Sequence, residues 1–115
     1  MRYLALWRPR QNGVPPTQNH YVQMGRLIEE MTKEGVLQDT GGWDPKAPAI
    51  LVRNSGGKVT ITDGPYAETK ELVAGFAIFQ VTSREEAVKW GSRFIEIAGD
   101  GVSEMREIPE AGLKG

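Results

Sequence analysis

Val73-Ala74-Gly75-Phe76-Ala77-Ile78-Phe79-Gln80-Val81 is the most apolar stretch of the chain, and it is apolar on both alternating faces. One parity is Val73, Gly75, Ala77, Phe79 and Val81; the other is Ala74, Phe76, Ile78 and Gln80. A strand with one wet face carries polar residues at every second position. This segment therefore reads as a strand that needs cover on both sides. Tyr3 to Trp7 repeats the pattern, with Tyr3, Ala5 and Trp7 set against Leu4 and Leu6.

Between these two strands, Arg8 to Pro16 is a loop broken by Pro9, Gly13, Pro15 and Pro16. Thr17 caps a helix in which Tyr21, Met24, Leu27, Ile28 and Met31 recur at helical spacing, and Gly35 stops it. A short strand fits in Val36 to Gly42, and Trp43 to Pro48 is a loop. Ala49 to Arg53 and Lys58 to Thr62 read as a hairpin around Asn54-Ser55-Gly56-Gly57, whose glycines suit positive φ angles. After Val81, Ser83 and Glu86 form a capping box. The second helix presents Ala87, Gly91, Phe94 and Ala98 inward, flanked by Val88, Trp90 and Ile95. Glu104 to Ile108 is the last strand.

The order β-α-β-β-β-α-β, or the same with one strand fewer, in a chain of 115 residues predicts an α+β fold, a ferredoxin-like sandwich with an antiparallel sheet and two helices on one face. That leaves the other sheet face bare, yet its residues are apolar. The simplest cover is the same face of a second copy around a two-fold axis, so a homodimer is expected. The alternative is a central strand partly covered by loops.

The length fits a single domain, with its core at about residues 2–108. Fourteen basic and fifteen acidic residues give a net charge of -1, which argues against a dedicated nucleic-acid or anionic-membrane surface. No cysteine is present, which excludes disulfides, thiolate metal sites and a cysteine nucleophile. One histidine leaves no histidine-rich metal centre. The apolar run at Met1 to Trp7 is shorter than a signal h-region, and a membrane span needs roughly 20 apolar residues. A cytoplasmic protein is the expectation. Trp7, Trp43 and Trp90 are scattered and make no stacking stripe of the nucleic-acid-binding kind. Gly41-Gly42 and Gly56-Gly57 lack the context of a phosphate loop.

Asp63-Gly64-Pro65-Tyr66-Ala67-Glu68-Thr69-Lys70-Glu71 resembles the Asp-Gly-Pro-Phe signature and its Ala-Glu-x-Lys-Glu extension, the mark of the DGPF branch of the YCII-related family. Gly75-Phe76, Glu85-Glu86-Ala87 with Trp90, and Glu104-Met105-Arg106 match further family positions in order. Tyr66 stands where the family has Phe, Ala74 where it has Gly, and Glu107 where it has Pro. The resemblance spans about residues 17–108. It implies the dimeric α/β-barrel superfamily, in which two ferredoxin-like sheets pack face to face. Relatives there include lyases, isomerases, dehalogenases and monooxygenases working without metals, and ligand-binding regulators. Many DGPF members are encoded near extracytoplasmic-function sigma factors.

His20 lies near the start of the first helix, one turn before Met24, on or beside the inward stripe. The positive end of a helix disfavours imidazolium, and a neutral imidazole can accept a proton. The resemblance adds that YCII-type proteins carry a histidine in the first helix, proposed to act with an aspartate. The plainer alternative is a boundary histidine bonded to a loop carbonyl. Asp63 can orient His20 or take a proton itself; equally, an Asp before Gly-Pro bonds its own backbone and fixes the turn. Tyr66 is a pocket wall with a hydroxyl or a packed aromatic. Glu68 and Lys70 are ligand contacts, with Lys70 donating to an anionic or carbonyl group, or they form surface ion pairs worth roughly 0 to 1 kcal/mol. Arg106, like Arg53, can meet a carboxylate ligand or pair with nearby acids.

Two functional classes follow. The first is a cofactor-independent enzyme of lyase, isomerase or dehalogenase type acting on a small polar or aromatic metabolite, with His20 and Asp63 as proton-transfer groups. The second is a non-catalytic ligand-binding or regulatory module in sigma-factor signalling. A DNA-binding role ranks behind both on charge.

Overall fold

The structure is a computed structural model that describes residues 1–10, 16–64 and 72–109. Its elements are β1 (Arg2–Pro9), α1 (Gln18–Lys33), β2 (Leu37–Gly42), β3 (Ile50–Ser55), β4 (Lys58–Asp63), β5 (Gly75–Gln80), α2 (Arg84–Ala98) and β6 (Gly101–Ile108). Four strands form an antiparallel sheet in the order β2-β5-β1-β6, and β3 and β4 form a separate two-stranded sheet. The short strand at the end of the first helix is therefore real and gives the sheet its β2 edge. It supplies one strand more than the order β-α-β-β-β-α-β contains.

The register fixes which residues share a face. Tyr3, Ala5 and Trp7 of β1 stand beside Phe79, Ala77 and Gly75 of β5. This is the face the helices cover: Ala5, Ala77, Phe79 and Val81 are buried with Leu27 and Met31 of α1 and Ala87 and Trp90 of α2. Trp90, Phe79 and Met31 are the largest side chains hidden from solvent. Trp90 therefore belongs to the centre of the α2 contact rather than its flank. Residues 87, 90, 91 and 94 lie on one stripe because they are three to four apart. Val88 is instead 44% exposed and Tyr21 61% exposed. On the opposite face, Leu4 and Leu6 lie beside Ile78 and Phe76, all half-buried, with no helix over them.

Local chemistry sets the boundaries. Thr17 accepts a hydrogen bond from the backbone N–H of His20 at 3.2 Å and so caps α1. Ser83 accepts one from the N–H of Glu86 at 3.1 Å. The Glu86 carboxylate reaches back to the N–H and hydroxyl of Thr82 rather than to Ser83, so the expected box closes one residue earlier. Gly56 and Gly57 both have positive φ (60° and 85°), as a two-residue hairpin turn whose twist matches its strands requires. β6 begins earlier than expected, at Gly101, and pairs along the whole of β1.

The β3-β4 hairpin projects as an arm. Among the described residues it makes no extended contact with a helix or strand of the four-stranded body, and each of its residues except Leu51 is exposed. Among the described residues no helix is long and apolar enough to cross a membrane.

Candidate functional site

A cleft of about 1030 Å³ opens where the start of α1 and the end of α2 meet the ends of β1 and β2 and the start of β5. The sequence builds it from alternation. Trp7 is on the helix-covered face at the end of β1, and Phe94 lies one turn beyond Trp90 on the inward stripe of α2. Their rings meet edge to face at 6.0 Å. Trp43, just past β2, leans on Phe76 with ring centres 6.5 Å apart. Met24 and Ile28 extend the apolar wall along α1, and Gly41, Gly42 and Gly75 line the cleft with bare backbone. At Gly75 an added Cβ would lie 3.0 Å from the carbonyl oxygen of Gly41, so any larger residue there pushes the β2 backbone a few tenths of an ångström away from β5.

His20 lines this cleft. The Thr17 cap holds its backbone, and its ring lies edge-on to that of Tyr21 at 5.9 Å. No hydrogen bond to the imidazole is present among the described residues. Among the described residues the acidic groups in the lining are Asp44 and Asp100. Asp44 accepts a hydrogen bond from the backbone N–H of Lys46 at 2.9 Å, and Asp100 faces Arg10 at 3.6 Å with both side chains largely in solvent. The cleft thus combines aromatic walls, one imidazole and a charged mouth.

Of the other described site residues read from the sequence, Asp63 and Arg106 are not among the cleft-lining residues. Asp63 is exposed at the end of the arm strand β4. Its neighbour Gly64 donates its N–H to the carbonyl of Ala49, closing the base of the arm. Arg106 is on β6, on the sheet face away from the helices, and bonds Glu104, which also pairs with Arg8 at 2.8 Å. These two guanidinium partners hold the Glu104 carboxyl below its ordinary range, Arg106 contributing most. Arg53 is exposed on β3. Tyr66, Glu68 and Lys70 lie outside the described residues. No group of three or more histidine, cysteine or acidic residues placed to hold a metal occurs among the described residues.

Sequence reasoning missed the aromatic wall. Trp7 and Trp43 read as scattered because the pairing of strand ends, not sequence spacing, brings them to one cleft. The legible signal was the parity of Trp7, which puts it on the same face as Tyr3 and Ala5.

An uncharacterized protein, R00369, of Rhizobium meliloti (strain 1021) is 41% identical over 44 residues, a match covering 38% of this chain and 36% of that protein. A solved structure of 5-chloro-2-hydroxyhydroquinone dehydrochlorinase from Burkholderia phenoliruptrix AC1100, in complex with 2,5-dihydroxybenzoquinone, aligns with a TM-score of 0.52 at 13% identity. The alignment covers 97% of this chain and 99% of that chain. At that identity the likeness establishes the fold. The family model described as the YCII-related domain matches residues 1–111, so this chain belongs to the YCII-related domain family.

Proposed function

We propose that the cleft binds a small, planar, hydroxylated aromatic or quinone-like metabolite and that His20 exchanges a proton with it. One observation carries this reading: the chain's single histidine lines a cleft walled by Trp7, Trp43, Phe76 and Phe94. Flat apolar walls select a ring by dispersion and stacking, and the few polar groups orient it. The fold neighbour solved in complex with 2,5-dihydroxybenzoquinone supports a ring of that class. A neutral imidazole can take a proton from a ring O–H or C–H. The electron pair left behind then moves within the ring system, giving isomerisation, or expels a neighbouring substituent as an anion, giving elimination. Neither course needs an oxidant or a reductant.

A second reading is binding without turnover, as a regulatory module. Its support is that His20 has no carboxylate partner among the described residues and that Asp63 is not in the cleft lining. Thermal-shift screening against hydroquinones, hydroxyquinones and hydroxybenzoates, followed by absorbance assays on each hit, separates the two. The enzyme reading expects a binder to be consumed, and His20→Asn to abolish consumption while leaving binding within about threefold. Consumption by His20→Asn at the wild-type rate would remove His20 from the chemistry. Binding without consumption would establish the module.

The reading includes a homodimer. Leu4, Leu6, Phe76 and Ile78 make an apolar strip with no helix over it, and an isologous contact between two copies is the simplest cover.

A further inference from the structure

The arm is amphipathic. Register places Ile50, Val52 and Asn54 beside Asp63, Ile61 and Val59 on one face, and Leu51, Arg53 and Ser55 beside Thr62, Thr60 and Lys58 on the other. The first face holds four β-branched side chains, Ile50, Val52, Val59 and Ile61, exposed by 67%, 66%, 61% and 69%. Such side chains suit strands because they pack against a neighbour. A two-stranded ribbon with nothing over its apolar face is at best marginally stable in water. With most of their surface in solvent, these side chains contribute little to the core of their own protomer and are available for a contact outside it.

We infer that this face of the arm lies against a second copy of the same chain and extends the sheet-to-sheet contact proposed above, on which it rests. Two features of the protomer choose a second copy. First, among the described residues each protomer has two apolar surfaces with no helix over them, the exposed arm face and the half-buried strip of Leu4, Leu6 and Ile78. In the chain the arm is inserted between β2 and β5, the strand that carries Ile78 of that strip. An isologous pair covers both surfaces with one partner species, since each contact occurs twice. Second, the charges complement. Asp63 shares the apolar arm face and has no partner among the described residues. On the helix-free sheet face, beside Leu4 and Leu6, Arg8 and Arg106 share the single carboxylate of Glu104, and the Arg106 side chain stays 74% exposed. An acidic end on the arm and a surplus guanidinium on the sheet are matching halves of one interface.

The test uses the full chain and its lack of cysteine. Sedimentation equilibrium gives the dimer dissociation constant of the wild type, of Val52→Lys/Ile61→Lys on the arm, and of Leu6→Lys on the sheet. Separately, Ile61→Cys provides a single thiol on the arm, whose maleimide labelling rate is followed against protein concentration. The inference expects the arm variant to dissociate more than about tenfold more readily with its circular dichroism unchanged. It also expects labelling of the arm thiol to slow as dimer forms and to stay fast when Leu6→Lys is added. A wild-type dimer with an unaltered constant in the arm variant and free labelling of the arm thiol would overturn the arm contact, leave the sheet contact standing and assign the arm to a different protein. A wild type that remains monomeric at about 100 µM, a concentration at which even modest self-affinity shows, would overturn both.

Discussion

Replacing Trp90 by Ala and, separately, Trp43 by Ala sets one residue type in two environments of the same chain. Trp90 is 2% exposed, at the centre of the contact between α2 and the sheet. The ammonium of Lys89 and the guanidinium of Arg93 lie over its ring, 4.8 and 5.0 Å from the centre. Removing a buried Trp costs about 3–5 kcal/mol, against about 5–15 kcal/mol for the whole stability of a domain. The cations lose about 0.5–1 kcal/mol each of ring attraction, which lies within that range. At about 4 °C per kcal/mol for a chain of this size, Trp90→Ala lowers Tm by roughly 12–20 °C. Trp43 is 48% exposed, and its ring contact is with Phe76. Its loss from the cleft wall costs roughly 1 kcal/mol but removes a ring from the site. The assay is urea unfolding followed by far-ultraviolet circular dichroism, at one protein concentration because self-association adds to stability. The reasoning is refuted if the two variants lose equal stability, or if Trp43→Ala keeps full affinity for a ring ligand that the wild type binds.

Three further outcomes follow from particular contacts. Arg93 donates two hydrogen bonds to Glu30, at 2.6 and 2.8 Å, tying α2 to α1, and this bonding holds the Glu30 carboxyl below its ordinary value of 4.5. A carboxyl lowered in the folded state stabilises above its unfolded value and loses that stabilisation as pH falls through the folded value. The stability difference between wild type and Glu30→Gln is therefore present at pH 7, begins to shrink near pH 4.5 and disappears in stronger acid; a difference unchanged in acid, by urea titration, counts against the pair. Gly75→Ala places a Cβ against the β2 backbone and destabilises by about 1–3 kcal/mol, with amide exchange in β2 speeding up more than in β6; equal effects on both edges would show that β2 is not the element displaced. Thr17→Ala removes the α1 cap, costs about 0.5–2 kcal/mol and broadens the His20 ring resonances, whereas Thr17→Ser leaves both near wild type.

The frame of the molecule was legible because its signals are local. Two strands apolar at both parities, a Thr cap before a periodic stripe, a Ser cap before another and a Gly56-Gly57 turn each specify their element through nearest neighbours, and the elements admit few antiparallel arrangements. The parity of Val73 to Val81 showed that both faces need cover, while which face is buried and which half-buried came from the structure. His20 was also legible, since a helix start with an inward stripe puts it near the sheet. The rest of the site depends on which strand ends pair. Trp7 and Gly75 are register partners 68 positions apart, and the register of β2 shifts at a bulge between Leu37 and Asp39 before reaching Gly42 and Trp43. Nothing in the spacing of the tryptophans encodes that. Likewise Asp63, the first residue of the signature and a candidate partner of His20, stands at the foot of a projecting arm. So residue patterning by itself determined the elements, the helices' inward faces and the α+β class, because side-chain period and capping act over a few residues. Only the tertiary structure decided that aromatic rings from β1, β5, α2 and the segment after β2 share one cleft with the histidine, because that meeting depends on strand pairing across most of the chain.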